Sequence, residues 1–71
     1  MGGRVWQAYY EAGPYISNLN WLKEIIKKNI GSVVDLGEFQ QRLRSEEKNL
    51  AETIKRNDLK IYLMYLEGKG Q

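Results

Sequence analysis

Four basic side chains in the first half of the chain could bind phosphate groups. Residues 1–34 contain four basic and only two acidic side chains, so they carry the whole formal net charge of +2. Basic side chains that gather on one surface neutralise nucleic-acid phosphates, and nearby rings such as Trp6, Tyr9 and Tyr10 could stack on bases. The alternative is that the lysines are the solvated face of an ordinary helix and the rings are core residues. The predicted nucleic-acid-binding residues are Arg4, Lys23, Lys27 and Lys28.

The residue types that most often perform catalysis are missing. The 71 residues include no Cys and no His, which excludes disulfides, His/Cys metal sites and the commonest general base and soft nucleophile. The carboxylates are scattered among basic residues at helical spacing, and the glycines fit no phosphate-binding loop. We therefore expect a protein that is not an enzyme and that has no metal or cofactor.

Residues 18–30 are predicted to form the clearest helix, and this helix would position three of the four basic groups. Ser17 or Asn18 can cap its start, and Gly31 stands where a left-handed residue would end it. At ~100° per residue, the apolar side chains fall on one side of the helix and the lysines on the other. The apolar side consists of Leu19, Leu22, Ile25, Ile26 and Ile30.

A second helix is predicted to begin at Asp35. Asp35 and Glu38 have the spacing of a capping box, and Val34 and Phe39 have the spacing of a hydrophobic staple. The link that begins at Gly31 is short, so the two helices should pack as an antiparallel hairpin.

Residues 36–66 allow two interpretations, and the first breaks the helix near residues 45–49. Asn49-Leu-Ala-Glu52 is a second capping box, which could start a new helix, and Leu43 and Leu50 would then lie on either side of a turn. This spacing is similar to the helix-turn-helix pattern of bacterial and archaeal regulators, in which the second helix reads the DNA major groove. The sequence departs from that pattern because it has no glycine in the tight turn.

The second interpretation, which we favour, is one continuous helix over residues 36–66. Every seventh residue from Leu36 to Met64 is Leu, Asn or Met, so the helical phase persists through the suspected break. Such a helix would be ~46 Å long, and the shorter helix could not cover its whole apolar stripe. A second copy or another protein would then bind the stripe, with an Asn inside it to fix the dimer register. The predicted partner stripe is Leu43, Leu50, Ile54, Asn57 and Ile61.

Two further segments fit either a strand or a helix. Residues 4–10 alternate like a strand, but Gly13 and Pro14 are placed to end a helix. Residues 61–66 are apolar on every side. We predict helices for both segments, and we expect the N-terminal one to cover a second apolar face of the long helix. That face consists of Leu59, Tyr62, Leu63 and Leu66.

These features predict one small all-α domain over residues 1–71, a helical hairpin or three-helix fold with residues 1–3 and 68–71 frayed. The leading functional prediction is a small regulatory or accessory protein that binds DNA through its basic helix face as a homodimer. The alternative is an adaptor or inhibitor that binds a protein partner through the apolar stripe. No apolar run approaches the ~20 residues that span a bilayer, so we expect no membrane partner. The absence of Cys favours the cytoplasm.

Overall fold

Four α-helices and no strand make up residues 2–68, the part of the chain that the computed structural model describes. A short 3₁₀ turn, Gly13–Tyr15, follows the first helix. The all-α prediction is confirmed, as are the helical predictions for residues 4–10 and 61–66. The helices are α1 (Gly2–Ala12), α2 (Leu19–Ile30), α3 (Leu36–Asn49) and α4 (Thr53–Leu66).

One side of α1 lies in the core. Val5, Ala8, Tyr9 and Ala12 are all buried, and their spacing of three and four residues places them on a single helix face. Pro14 lies in the first turn of the 3₁₀ segment that follows, a position that suits its fixed φ and tolerates its missing N–H. The Gly-Pro pair therefore ends α1, as its position in the sequence predicts.

The backbone conformation at the end of α2 differs from the predicted one. Gly31 has φ −76° and ψ −12°, so the predicted left-handed conformation is wrong. The Ser32 N–H donates to the Asn29 carbonyl at 3.1 Å, and this right-handed turn satisfies a terminal carbonyl without a left-handed residue.

The start of α3 has the predicted cap but not the predicted staple. The Glu38 N–H donates to Asp35 Oδ1 at 2.8 Å, and the Glu38 carboxylate accepts from the Val34 N–H at 3.0 Å. Val34 is 85% exposed although Phe39 is buried, so these two side chains do not form a staple. Val33 packs against the core instead.

The chain breaks between α3 and α4, so the prediction of one continuous helix over residues 36–66 is wrong. Leu50 and Glu52 have extended backbones, with ψ of 123° and 119°. The Arg56 guanidinium donates to the Leu50 carbonyl at 2.8 Å and so satisfies an acceptor that the end of α3 leaves open. The break lies just after the 45–49 segment in which the sequence placed it.

The break allows α4 to fold back and bury its most apolar face. Leu59, Tyr62, Leu63 and Leu66 are all buried, as predicted for the second face, and α1 covers them. In this contact the Tyr62 hydroxyl donates to the Val5 carbonyl at 2.9 Å. Burial raises the pKa of Tyr62 far above its ordinary value. A continuous helix ~46 Å long would instead carry these side chains away from the core.

The ends of the described chain are helical or helix-terminating. Gly2 and Gly3 belong to α1, and Gly68 follows α4 with φ +79°, a left-handed conformation that suits glycine. The Gly68 N–H donates to the Tyr65 carbonyl at 3.1 Å. Met1 and residues 69–71, which we predicted to be frayed, lie outside the described residues.

Candidate interaction surfaces

Three of the four predicted basic residues lie on the exposed side of α2. Lys23, Lys27 and Lys28 are all exposed, and at ~100° per residue they span about 140° of the helix circumference. Glu24 lies among them and pairs with Lys27 at 3.9 Å. The face therefore carries three positive charges and one negative charge, spread around the helix rather than focused at one point.

The fourth basic residue, Arg4, anchors the end of α4. Its guanidinium donates to the Tyr65 carbonyl at 2.6 Å and to the Leu66 carbonyl at 3.0 and 3.2 Å. These carbonyls belong to the last turn of α4, where no helical residue four positions further on donates to them, and a cation at this end of a helix interacts favourably with the helix dipole. Arg4 thus serves the α1–α4 contact, and its hydrogen bonds are made within the domain.

The aromatic residues beside Arg4 are also used mainly inside the protein. Tyr9 is buried, and its hydroxyl donates to the Leu19 carbonyl at 3.3 Å. Burial first, and the neighbouring Tyr10 second, raise the pKa of Tyr9. Trp6 is half-buried and meets the Tyr9 ring edge to face at 5.6 Å between centroids. Of these three rings only Tyr10, at 73% exposure, offers an open face to a base.

An uncharged strip runs along the solvent-facing side of α4. Ile54 and Met64 are 55% and 48% exposed, Asn57 is exposed, and Ile61 is half-buried. These four residues follow one another at intervals of three, four and three, which is the spacing of a and d positions in a heptad. We call this surface the α4 strip, and it consists of Thr53, Ile54, Asn57, Ile61, Met64 and Tyr65.

Ion pairs border the α4 strip on the side of α3. Lys60 lies 3.9 Å from the Glu47 carboxylate, and Arg44 pairs with Glu67. The two pairs line a shallow groove of about 280 Å³, and Met64 forms part of its wall. Each charge on this edge therefore has a partner of opposite sign within the domain.

The other edge of the α4 strip is aromatic. Tyr15, which is 62% exposed, stacks on Tyr65 with 6.0 Å between ring centroids and 14° between ring planes. Partial burial, then the neighbouring Tyr15 and then the Glu11 carboxylate raise the pKa of Tyr65. The Tyr65 side chain is therefore uncharged at neutral pH, and the stacked Tyr15 ring widens the strip beyond α4 itself.

The predicted partner stripe is divided by the break. Leu43 is fully buried, so the prediction that it faces a partner is wrong, whereas Leu50 is half-buried against the core and lies in the link between α3 and α4, apart from the α4 strip. The reason is that α3 and α4 are separate helices with different orientations toward the core. Ile54, Asn57 and Ile61 belong to the α4 strip.

A buried carboxylate that the sequence did not reveal connects α4 to the start of α2. Asp58 is 2% exposed and accepts hydrogen bonds from the Ser17 N–H at 3.0 Å and the Asn18 N–H at 2.8 Å. The Asn18 side-chain amide donates to it as well, at 3.0 Å, which explains why Asn18 does not cap α2 with its own side chain. One sequence feature could have indicated that Asp58 is buried: it precedes the apolar residues Tyr62 and Leu66 by four and eight positions, so all three lie on the same face of a helix.

The described residues hold no cluster of three or more Asp or Glu side chains arranged to bind a metal ion. None of the helices within residues 2–68 has the length and hydrophobicity needed to cross a bilayer.

The fold and these surfaces define a small four-helix domain with a basic face on α2 and an uncharged strip on α4. The chain belongs to the MJ1579 family, whose family model matches residues 4–70. No curated protein and no solved structure shows a significant match to it.

Proposed function

We propose that this protein is a non-enzymatic interaction module that contacts a protein partner through the α4 strip. The observation that carries the proposal is the absence of charge from the strip, although 28% of the residues in the chain are charged. The cores of protein interfaces are depleted of charge and enriched in Met and aromatic residues, while their rims are polar. The α4 strip has this composition, and ion pairs form one of its rims.

The exposed apolar side chains also favour a partner on energetic grounds. About half of the Ile54 side chain and half of the Met64 side chain remain in water. Full burial of such a side chain contributes ~1.5–3 kcal/mol, so covering the remaining half of each would add about 1 kcal/mol. A partner helix with matching heptad spacing would bury both together with Tyr65.

A photoreactive residue in the α4 strip tests the proposal. We would replace Met64 by benzoylphenylalanine and irradiate the protein in an extract of cells that produce it. The control carries the same residue at Val34, which is 85% exposed and lies outside the strip. We expect the Met64 position to yield a discrete adduct whose partner mass spectrometry identifies, and we expect Ile54→Glu to abolish it.

The purified partner should then bind the wild-type protein and not the Ile54→Glu variant. Equal, diffuse cross-linking from Met64 and Val34 would refute the proposal. So would a discrete adduct whose formation is insensitive to Ile54→Glu.

Nucleic-acid binding through the α2 face is the second candidate function. The observation that favours it is that Lys23 and Lys28 form no ion pair within residues 2–68, so their charges are available to phosphates. Arg4 and Tyr9 contribute less than the sequence led us to expect, since both make hydrogen bonds inside the domain. With three phosphate contacts at most, affinity should fall with a log–log salt slope no steeper than about −2.7.

Charge reversal distinguishes this candidate from general electrostatic attraction. The triple variant Lys23→Glu, Lys27→Glu, Lys28→Glu should lose measurable binding to DNA and RNA. A matched triple variant with the same change in net charge elsewhere should retain most of it. The matched positions are Arg42, Lys48 and Lys60. Equal losses in the two variants, or no binding by the wild type at low salt, would exclude the α2 face as a nucleic-acid site.

A further inference from the structure

We propose that the occupant of the α4 strip is a second copy of this chain, and that the two α4 helices pack in parallel about a two-fold axis. The inference rests on the proposed function, because it names the partner of the same surface. It concerns a symmetric contact, in which each residue near the axis meets its own counterpart.

The heptad spacing of the α4 strip is complementary to another helix with the same spacing. Ile54 and Ile61 occupy a positions, and Asn57 and Met64 occupy d positions. Such residues interdigitate with a facing helix whose apolar residues repeat at the same intervals. The α4 helix of a second copy meets this requirement.

Asn57 indicates both the identity of the occupant and its direction. Its side chain is exposed in the middle of the seam and has no hydrogen bond within residues 2–68. A partner that buries this amide must supply both a donor and an acceptor, because an unpaired buried amide is costly. In a parallel pair, Asn57 meets Asn57 of the second copy, and each amide can donate to the other. In an antiparallel pair it would face Ile61, which offers neither group.

The charges on the edges favour the same direction. Lys60 stands at a g position of the heptad and Tyr65 at an e position. A parallel pair brings Lys60 beside Tyr65 of the second copy, where the ammonium can contact the ring or the hydroxyl. An antiparallel pair brings the two Lys60 ammonium groups toward each other, and like charges repel.

The size of the α4 strip predicts a weak dimer. The 14 residues of α4 span ~21 Å, so two strips bury an area near the lower limit of ~1,200 Å² for specific interfaces. The stacked Tyr15 adds area at one edge, while a central Asn lowers stability. We expect a dissociation constant on the order of 10–100 µM.

Single cysteines test both the occupant and its direction, because the natural chain contains no Cys. In a parallel pair, Ile54→Cys places two thiols opposite each other at the same a position. Val34→Cys is the matched control, an exposed apolar position outside the strip. With a short bismaleimide, we expect Ile54→Cys to cross-link on the order of ten-fold faster than Val34→Cys. Urea should abolish this difference.

Sedimentation equilibrium of the wild-type protein should show the mass rising from monomer toward dimer between ~10 µM and ~1 mM. Met64→Glu should hold the protein at the monomer mass, and Val34→Glu should not. A wild type that stays monomeric throughout, with equal cross-linking rates for the two Cys variants, would overturn the proposal. So would cross-links that form only between Ile54→Cys and Met64→Cys chains in a mixture, since these require antiparallel helices.

The two proposals fail in different ways. A strictly monomeric protein whose Met64 position still cross-links to a different, identifiable protein would refute the second copy and leave the interaction module standing. Loss of both the adduct and the dimer would refute the interaction module itself.

Discussion

Replacing Asp58 by Asn tests whether one carboxylate of α4 holds the start of α2 in place. Its two oxygens accept hydrogen bonds from the backbone N–H groups of Ser17 and Asn18 and from the Asn18 side chain, at 2.8–3.0 Å. Asn has nearly the same shape, but one of its two polar atoms is a donor. At least one N–H at this site would therefore face another donor, in surroundings where water does not substitute because Asp58 is 2% exposed.

The expected loss of stability is large for a domain of this size. A hydrogen bond to a charged acceptor contributes ~1.5–3 kcal/mol, and a buried donor without a partner costs ~1–3 kcal/mol. Because both effects describe the same contact and are not additive, we expect Asp58→Asn to lower the free energy of unfolding by about 3 kcal/mol. At ~0.05–0.15 kcal/mol per residue, the whole domain has only ~4–11 kcal/mol. The midpoint of thermal unfolding should fall by ~12–24 °C.

Asp35→Asn is the matched control for this measurement. Asp35 also accepts a backbone N–H at a helix start, from Glu38 at 2.8 Å, but it is exposed, and Asn caps helices as well as Asp does. Its effect should stay within ~0.5 kcal/mol. Both variants can be compared with the wild type by urea unfolding, followed by tryptophan fluorescence and far-UV circular dichroism. If Asp58→Asn were no less stable than Asp35→Asn, the anchoring role of Asp58 would be refuted.

Three further substitutions test contacts near the ends of the described chain. Tyr62→Phe removes the donor to the Val5 carbonyl and should cost ~1–2 kcal/mol at neutral pH. Because burial raises the folded-state pKa of Tyr62 above its unfolded value of ~10, wild-type stability should fall as the pH rises above ~10. Urea unfolding across this range should show a shallower fall in the Phe variant, and parallel curves would contradict the assignment. Arg4→Ala should lower the free energy of unfolding by ~1–2 kcal/mol and leave nucleic-acid affinity unchanged at matched salt; the reverse outcome would return Arg4 to the basic surface. Gly68→Ala should cost ~1 kcal/mol because Gly68 has φ +79°, whereas an unchanged urea midpoint would show that this turn contributes nothing.

Local patterns predicted much of the fold. The extent of α2 follows from its amphipathic periodicity, although neither of its predicted caps forms. The Asp35 cap of α3 follows from residues within one helical turn of that boundary. The buried face of α4, from Leu59 to Leu66, also follows from helical periodicity.

The break at residues 50–52 could not be predicted in the same way. Phase continuity from Leu43 through Leu50 to Ile54 is a local property, and it favours one helix. Whether the helix breaks depends on the second apolar face of α4, which must reach the core beside α1. The burial of that face involves contacts between segments far apart in the sequence, and helical periodicity contains no information about such contacts.

The candidate surfaces likewise include one feature that local sequence patterns predict and one that they do not. The exposure of Lys23, Lys27 and Lys28 follows from the amphipathic pattern of α2. The engagement of Arg4 does not, since its acceptors lie 61 and 62 residues away.

The pairing of α1 with α4 has a consequence for how the protein is made. The hydrogen bonds from Arg4 and Tyr62 across this contact join residues 57 to 62 positions apart. A nascent chain, which grows by ~5–20 residues per second, therefore presents the apolar face of α1 for several seconds before its cover has been synthesised. Folding must wait until α4 leaves the ribosome. A chain whose translation stops before that point leaves the apolar face of α1 without the α4 side chains that cover it, and chaperones and proteases act on such exposed surfaces.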